Sequence, residues 1–292
     1  MTLEPSPQAT DESARRRIIV DAHVHLWTAP SPERPWVPGA RPQLPEPFTT
    51  ERLVPMMDQA GVDRVIIVPP NVEGDRLDYA QEAVKRYPGR FAITGRIALD
   101  EPATARRLPT WREQLGVRGI RLNMAGDQAA WLMDGTADWF WPAAESAGIP
   151  VTFLTTGQTH RFAQIAERHP QLVLIIDHMG VSSECVRNGA VAAAIDQSLA
   201  LAKYPNVSVK LSAAPLLSSE PYPFRDLNGH IRRLFDAYGP RRCYWGTDVT
   251  NSFAKATYRQ RITHFTEELD FLSEDDKDWI MGRAILARLG WT

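Results

Sequence analysis

Eight short runs rich in β-branched and aliphatic residues recur along this chain, and helix-forming stretches separate them. The runs lie at 18–26, 62–68, 91–98, 117–123, 149–156, 172–178, 207–212 and 243–248. Between them, apolar residues return at helical spacing over 50–60, 75–87, 137–147, 161–169, 190–204, 227–238 and 255–269, with a last helix over 273–289. The connection before the fourth run is the least regular, because Pro109 interrupts 103–115. Gly61, Gly89, Gly148 and Gly239 each follow a helical stretch, as C-terminal caps do. Ser273, with acids in the turn behind it, reads as an N-cap. Alternation of apolar strands with helices implies a parallel sheet covered by helices. Eight such units can close, so the expected fold is α/β, a single-domain (β/α)8 TIM barrel over 18–292, for which about 250 residues is usual. A doubly wound open sheet is the alternative. It usually has fewer strands and opens on a glycine-rich phosphate loop, and no such motif occurs here.

The polar first 17 residues, with Pro5, Pro7 and three arginines at 15–17, read as a disordered tail without a signal peptide. No apolar run is long enough to cross a membrane. A net charge of -2 gives no electrostatic reason to bind nucleic acid, so the expected partner is a small-molecule substrate. Cys185 and Cys243 form no CxxC pair, which fits a cytoplasmic protein with neither disulfides nor a thiolate zinc site. Barrel helices permit a homo-oligomer, and nothing in the sequence forces one.

Polar residues fall at informative places. Barrel active sites lie at the C-terminal ends of the strands. The first run ends Asp21-Ala-His23-Val-His25, whose two imidazoles share a face and can hold one metal ion or one polar ligand. The sixth ends in Asp177-His178 and the eighth in Asp248. Each has a plain structural explanation: half-buried histidines, an ion pair, a helix cap. Three of the 7 histidines at strand exits, with an aspartate at a fourth, favour function. His160, His169, His230 and His264 read as surface or helix-end residues. The segment 27–48 holds seven prolines and no periodicity, which suits a lid or binding loop, and 213–224 is a second candidate loop.

The segments Val20-Asp-Ala-His-Val-His25, Gly116-Val-Arg-Gly-Ile-Arg-Leu-Asn123, Ile176-Asp-His-Met-Gly180 and Trp245-Gly-Thr-Asp248 resemble the amidohydrolase-2 branch of the amidohydrolase superfamily. Within it, the chain is similar to the pyrone-dicarboxylate lactonase type. The resemblance implies a lactonase-like hydrolase that opens a lactone or related cyclic ester of a small organic acid with activated water. Its alternative is nonoxidative, metal-dependent decarboxylation of an aromatic or enoic acid. The resemblance also implies catalytic roles for Asp248, as general base, and His178, as the group that polarises the carbonyl. His23, His25 and Asp248 become the ligands of an optional divalent metal such as zinc; three ligands plus water suffice for a catalytic site, and some lactonases of this branch work without one. The decarboxylases add a histidine at the end of strand five, where this chain has Thr155-Thr156. Arg121, Trp27 and Ser212 are the expected substrate contacts; Arg121 serves either as a clamp for one anionic group or as an ion pair inside the barrel. Val181 and Leu211-Ser-Ala-Ala-Pro215 stand where lactonases of dicarboxylates carry arginines, which argues against a dicarboxylate. Arg283-Ala284 replaces a frequent Asn-Ala pair.

Overall fold

The computed structural model describes residues 16–292. Of the tail expected over 1–17, residues 1–15 lie outside the described part; Arg17 is held by Glu274 and Asp278. The strands are β1 (Val20–Val24), β2 (Arg64–Ile67), β3 (Phe91–Gly95), β4 (Val117–Met124), β5 (Val151–Thr155), β6 (Leu174–Ile176), β7 (Val207–Ser212) and β8 (Cys243–Gly246). They pair in parallel in chain order. Closure from β8 to β1 is made by Asp248 N–H, which donates to the His23 carbonyl at 2.9 Å. Gly246 permits this approach, since a Cβ there would meet the backbone nitrogens of Ala22 and His23 at 3.3 Å. The chain is thus a (β/α)8 barrel.

The helices are α1 (Thr50–Ala60), α2 (Asp78–Arg86), α3 (Phe140–Ser146), α4 (Phe162–Arg168), α5 (Ser183–Arg187), α6 (Val191–Ala200), α7 (Ala214–Leu217), α8 (Asn228–Tyr238), α9 (Tyr258–Thr263), α10 (Glu274–Asp278) and α11 (Ala284–Leu289). Their buried faces follow the expected periodicity, as with Tyr79, Ala80, Ala83 and Val84 of α2. The crossover broken by Pro109 forms only 3₁₀ turns at Pro102–Arg107 and Trp111–Glu113. Trp111 still seals that side of the sheet, fully buried, with its indole N–H on the Gly119 carbonyl at 3.1 Å. Ser273 caps α10 as expected, in a reciprocal pair with Asp276.

Most strands are shorter than the runs that predict them, because the polar exits leave the ladder. His178, Ala213 and Asp248 adopt left-handed backbones, with φ of 49°, 65° and 47°. Non-glycine residues rarely do so, and such strain gathers at functional sites. At β1 the register advances three residues against two on β2 between Asp21 and Val24. This bulge re-aims the strand. Val20 and Ala22 join Ile66, Ala92, Ile175 and Tyr244 in an apolar layer closed from below by α11 and Trp291. Asp21 instead accepts hydrogen bonds from the Tyr258 hydroxyl of α9 and from Thr247. Above the bulge, His23 and His25 look toward the C-terminal mouth. The proline-rich segment leaves and rejoins the barrel at one point, where Trp27 N–H meets the Phe48 carbonyl at 3.1 Å.

His264 is not a surface residue. It is fully buried, its Nε2 lies 3.0 Å from Asn228 Oδ1, and its ring meets Phe224 edge-on. Burial pushes its pKa down to about 4. An unfolded histidine titrates near 6.5, so acid protonates the unfolded chain first. The stability present above about pH 6.5 is therefore lost between about pH 6.5 and 4, amounting to about 3 kcal/mol. Urea melts across that window should show a shallower acid loss for His264→Gln than for the parent; parallel curves would contradict a neutral buried imidazole.

Candidate active site

The structure brings His23, His25, His178 and Asp248 together at the C-terminal mouth. The His23 ring lies 4.8 Å from that of His25 and 4.5 Å from that of His178. Asp248 Oδ1 lies 3.4 Å from His25 Nε2, and its Oδ2 lies 3.7 Å from His178 Nε2. Burial pushes the Asp248 carboxyl up, but the His178 and His25 rings set against it outweigh that and hold the group well below the usual carboxylate range. Asn251 donates to both carboxylate oxygens at 2.9 Å. Burial also lowers the pKa of His178 despite Asp248 and Asp177, so this imidazole is neutral at pH 7.

Beneath this group sits a charge cluster that the sequence reading left incomplete. Asp177 Oδ1 is 3.0 Å from Lys210 Nζ and 3.3 Å from His23 Nδ1, and Arg121 Nε donates to Asp177 Oδ2 at 3.1 Å. Burial alone would raise the Asp177 carboxyl; Lys210, His23 and Arg121 hold it well below its ordinary value. Lys210, 1% exposed, belongs to an inward column with Ser208 and Ser212 on β7. The signal for it was a lysine at period two among serines, flanked by Val209 and Leu211. Arg121 and Lys210 are the two cations set against the carboxylates of Asp177 and Asp248.

Two of the expected substrate contacts lie elsewhere. Trp27 is fully buried beneath the proline-rich segment, its ring against Phe48. Ser212 is also fully buried, with Oγ 2.8 Å from His178 Nδ1. Its hydroxyl can donate to Nδ1, which leaves Nε2–H of His178 free to point outward. Arg121 does reach the cavity of about 420 Å³ above the strands, together with His25, His178, Asp248, and Arg41 from the proline-rich segment. Arg121 forms the ion pair of one expectation through Nε, and it also lines the cavity. Leu154 faces the cavity from β5. His160 is exposed and bonded to Gln197, away from the cavity.

The donor chemistry fits a divalent cation. His25 Nδ1 lies 2.7 Å from the Val68 carbonyl, which can only accept, so Nδ1 carries a proton and the ring in its neutral form offers the Nε2 lone pair. His23 Nε2 stands 3.3 Å away. When His23 Nδ1–H donates to Asp177, two lone pairs face one point beside Asp248 Oδ1, an arrangement a cation stabilises. The ligand atoms of His23, His25 and Asp248 all lie within 4.8 Å of one another.

A family model described as amidohydrolase matches residues 20–287. The chain is 26% identical over 236 residues to an L-fucono-1,5-lactonase of Burkholderia ambifaria, covering 78% of this chain and 79% of that protein. It is 27% identical over 239 residues to a 4-sulfomuconolactone hydrolase of Hydrogenophaga intermedia, covering 80% and 74%. Among solved structures, an amidohydrolase from Burkholderia multivorans with bound zinc superposes with a TM-score of 0.76 at 21% identity, covering 94% and 99%.

Proposed function

The chain belongs to the amidohydrolase family, and from that premise we propose that it hydrolyses a lactone, adding water across the ring ester of a small organic acid to give the open hydroxy acid. The observation that carries this reading is an ionised carboxylate, Asp248, set beside a neutral imidazole, His178, at the floor of a cavity large enough for one small ring. The two lactone hydrolases to which the chain is similar support it. The decarboxylase alternative is less favoured: β5 ends in Thr155-Thr156, where the resemblance gives the decarboxylases a histidine.

Water held by Asp248 attacks the ring carbonyl and gives its proton to the carboxylate. His178 Nε2–H donates to the carbonyl oxygen as negative charge gathers there, while the Ser212 hydroxyl donates to Nδ1. The tetrahedral centre collapses by breaking the bond to the ring oxygen, which takes the proton back from Asp248. His23, His25 and Asp248 would hold the divalent metal, which when bound would polarise the carbonyl and acidify water.

The test is a panel of sugar 1,5-lactones, acidic butenolides and aromatic acids, followed by proton release and by CO2, with and without chelator. We expect kcat/KM of about 10⁴ M⁻¹ s⁻¹ or more on a lactone. Zinc binding, read by calorimetry, should be lost in His23→Ala. Release of CO2 from an aromatic acid with no lactone turnover would overturn the proposal.

A further inference from the structure

We propose that the Lys210 ammonium occupies a second cation position in this barrel, built by His23, Asp177 and His178, and that removing the ammonium opens that position to a divalent ion. The inference goes beyond the lactonase reading and does not depend on which bond the barrel breaks. Among the described residues, two trios of metal-ligating side chains have donor atoms within 4.8 Å of one another: His23, His25 and Asp248, and His23, Asp177 and His178. His23 belongs to both, and its ring has a nitrogen for each. Nε2 stands 3.3 Å from His25 Nε2, on the side of the first trio. Nδ1 stands 3.3 Å from Asp177 Oδ1, on the side of the second.

The second trio differs from the first in what faces it. Lys210 Nζ lies 3.0 Å from Asp177 Oδ1 and 3.4 Å from His23 Nδ1. Lys210 is buried, as are all three members of the trio. Asp177 Oδ2 is taken by Arg121 Nε at 3.1 Å, whereas Oδ1 is enclosed yet takes no well-aligned hydrogen bond. A buried carboxylate oxygen in that state is held by charge rather than by direction, which suits a cation. An ammonium is a compact point charge and meets such a cage as a metal ion would, without offering it a lone pair. A divalent ion bound to the same donors would lie close to Nζ and be repelled by it, with little solvent to screen the two charges. The two cations therefore exclude each other. Lys210 shares its column on β7 with Ser208 and Ser212, so shortening the side chain leaves small polar neighbours and no apolar plug.

The experiment loads chelator-treated parent, Lys210→Ser and Lys210→Ser/Asp177→Asn with zinc, and counts tightly bound ions per folded chain by atomic absorption and calorimetry. Lys210→Ser should hold about one ion more than the parent, and the added Asp177→Asn should remove that extra ion. Zinc should also raise the thermal midpoint of Lys210→Ser by more than that of the parent, since an ion bound only by the folded chain stabilises it. An unchanged count in Lys210→Ser, a parent that takes up the second ion with Lys210 in place, or an extra ion that persists in the double variant overturns the proposal. Lys210→Gln removes the charge, keeps much of the length and offers an amide oxygen to a metal, so it supplies the same count if Lys210→Ser does not fold. Lactone turnover plays no part in the readout, so a failure of the lactonase reading leaves this result intact.

Discussion

Asp248→Asn should lower kcat/KM by about 10²- to 10⁴-fold, the span a positioned base typically contributes, and leave a folded protein. The expectation follows from where the carboxylate sits. It is 1% exposed, ionised, and within reach of both His25 and His178, so the variant removes the proton acceptor while keeping its shape. Asparagine also tolerates the left-handed backbone required at φ 47°. The cost in stability comes from losing one of two anions that balance Arg121 and Lys210, and should be about 1–3 kcal/mol. Initial rates on the best lactone, beside a thermal melt, read both quantities. Loss of activity within tenfold of the parent would remove Asp248 from proton transfer. A variant that failed to fold would instead assign the carboxylate to the architecture.

Asp177→Ala should be the most destabilising single change at the mouth, at about 3–5 kcal/mol. Its carboxylate is the shared counter-ion of Lys210 and Arg121, both nearly inaccessible to solvent. Removing it strands two buried cations. Adding Lys210→Met to Asp177→Ala should recover part of the loss, because removing both members of a buried pair costs less than removing one. Urea midpoints of the two single variants and the double variant give the coupling. Additive losses would mean that Lys210 and Asp177 do not act as a unit.

The barrel could be read from the sequence because its strands are apolar runs with polar residues only at their ends, and those ends are where the site is built. His23, His25, His178 and Asp248 were legible for that reason. Lys210 was not, because the run Val207–Ser212 shows its inward column but not its partner, which arrives from β6. Asp21 has no assigned part in that reading, and the structure places it beside a bulge in β1, bonded to Tyr258. Trp27 looked like a substrate contact because it heads a long loop; its ring is instead covered by the return of that loop at Phe48.

The shared departure and return point of the proline-rich segment separates two properties of the protein. The excursion is pinned at its ends by the Trp27–Phe48 bridge, and along its length by Val37 N–H on the Val72 carbonyl and by Arg34 on Asp78 and Glu82 of α2. Arg41 rides on it and reaches the reaction cavity, while Asp248 and His178 stand on the strands below. Exchanging the excursion between related chains would transplant substrate choice onto an unaltered water-activating floor.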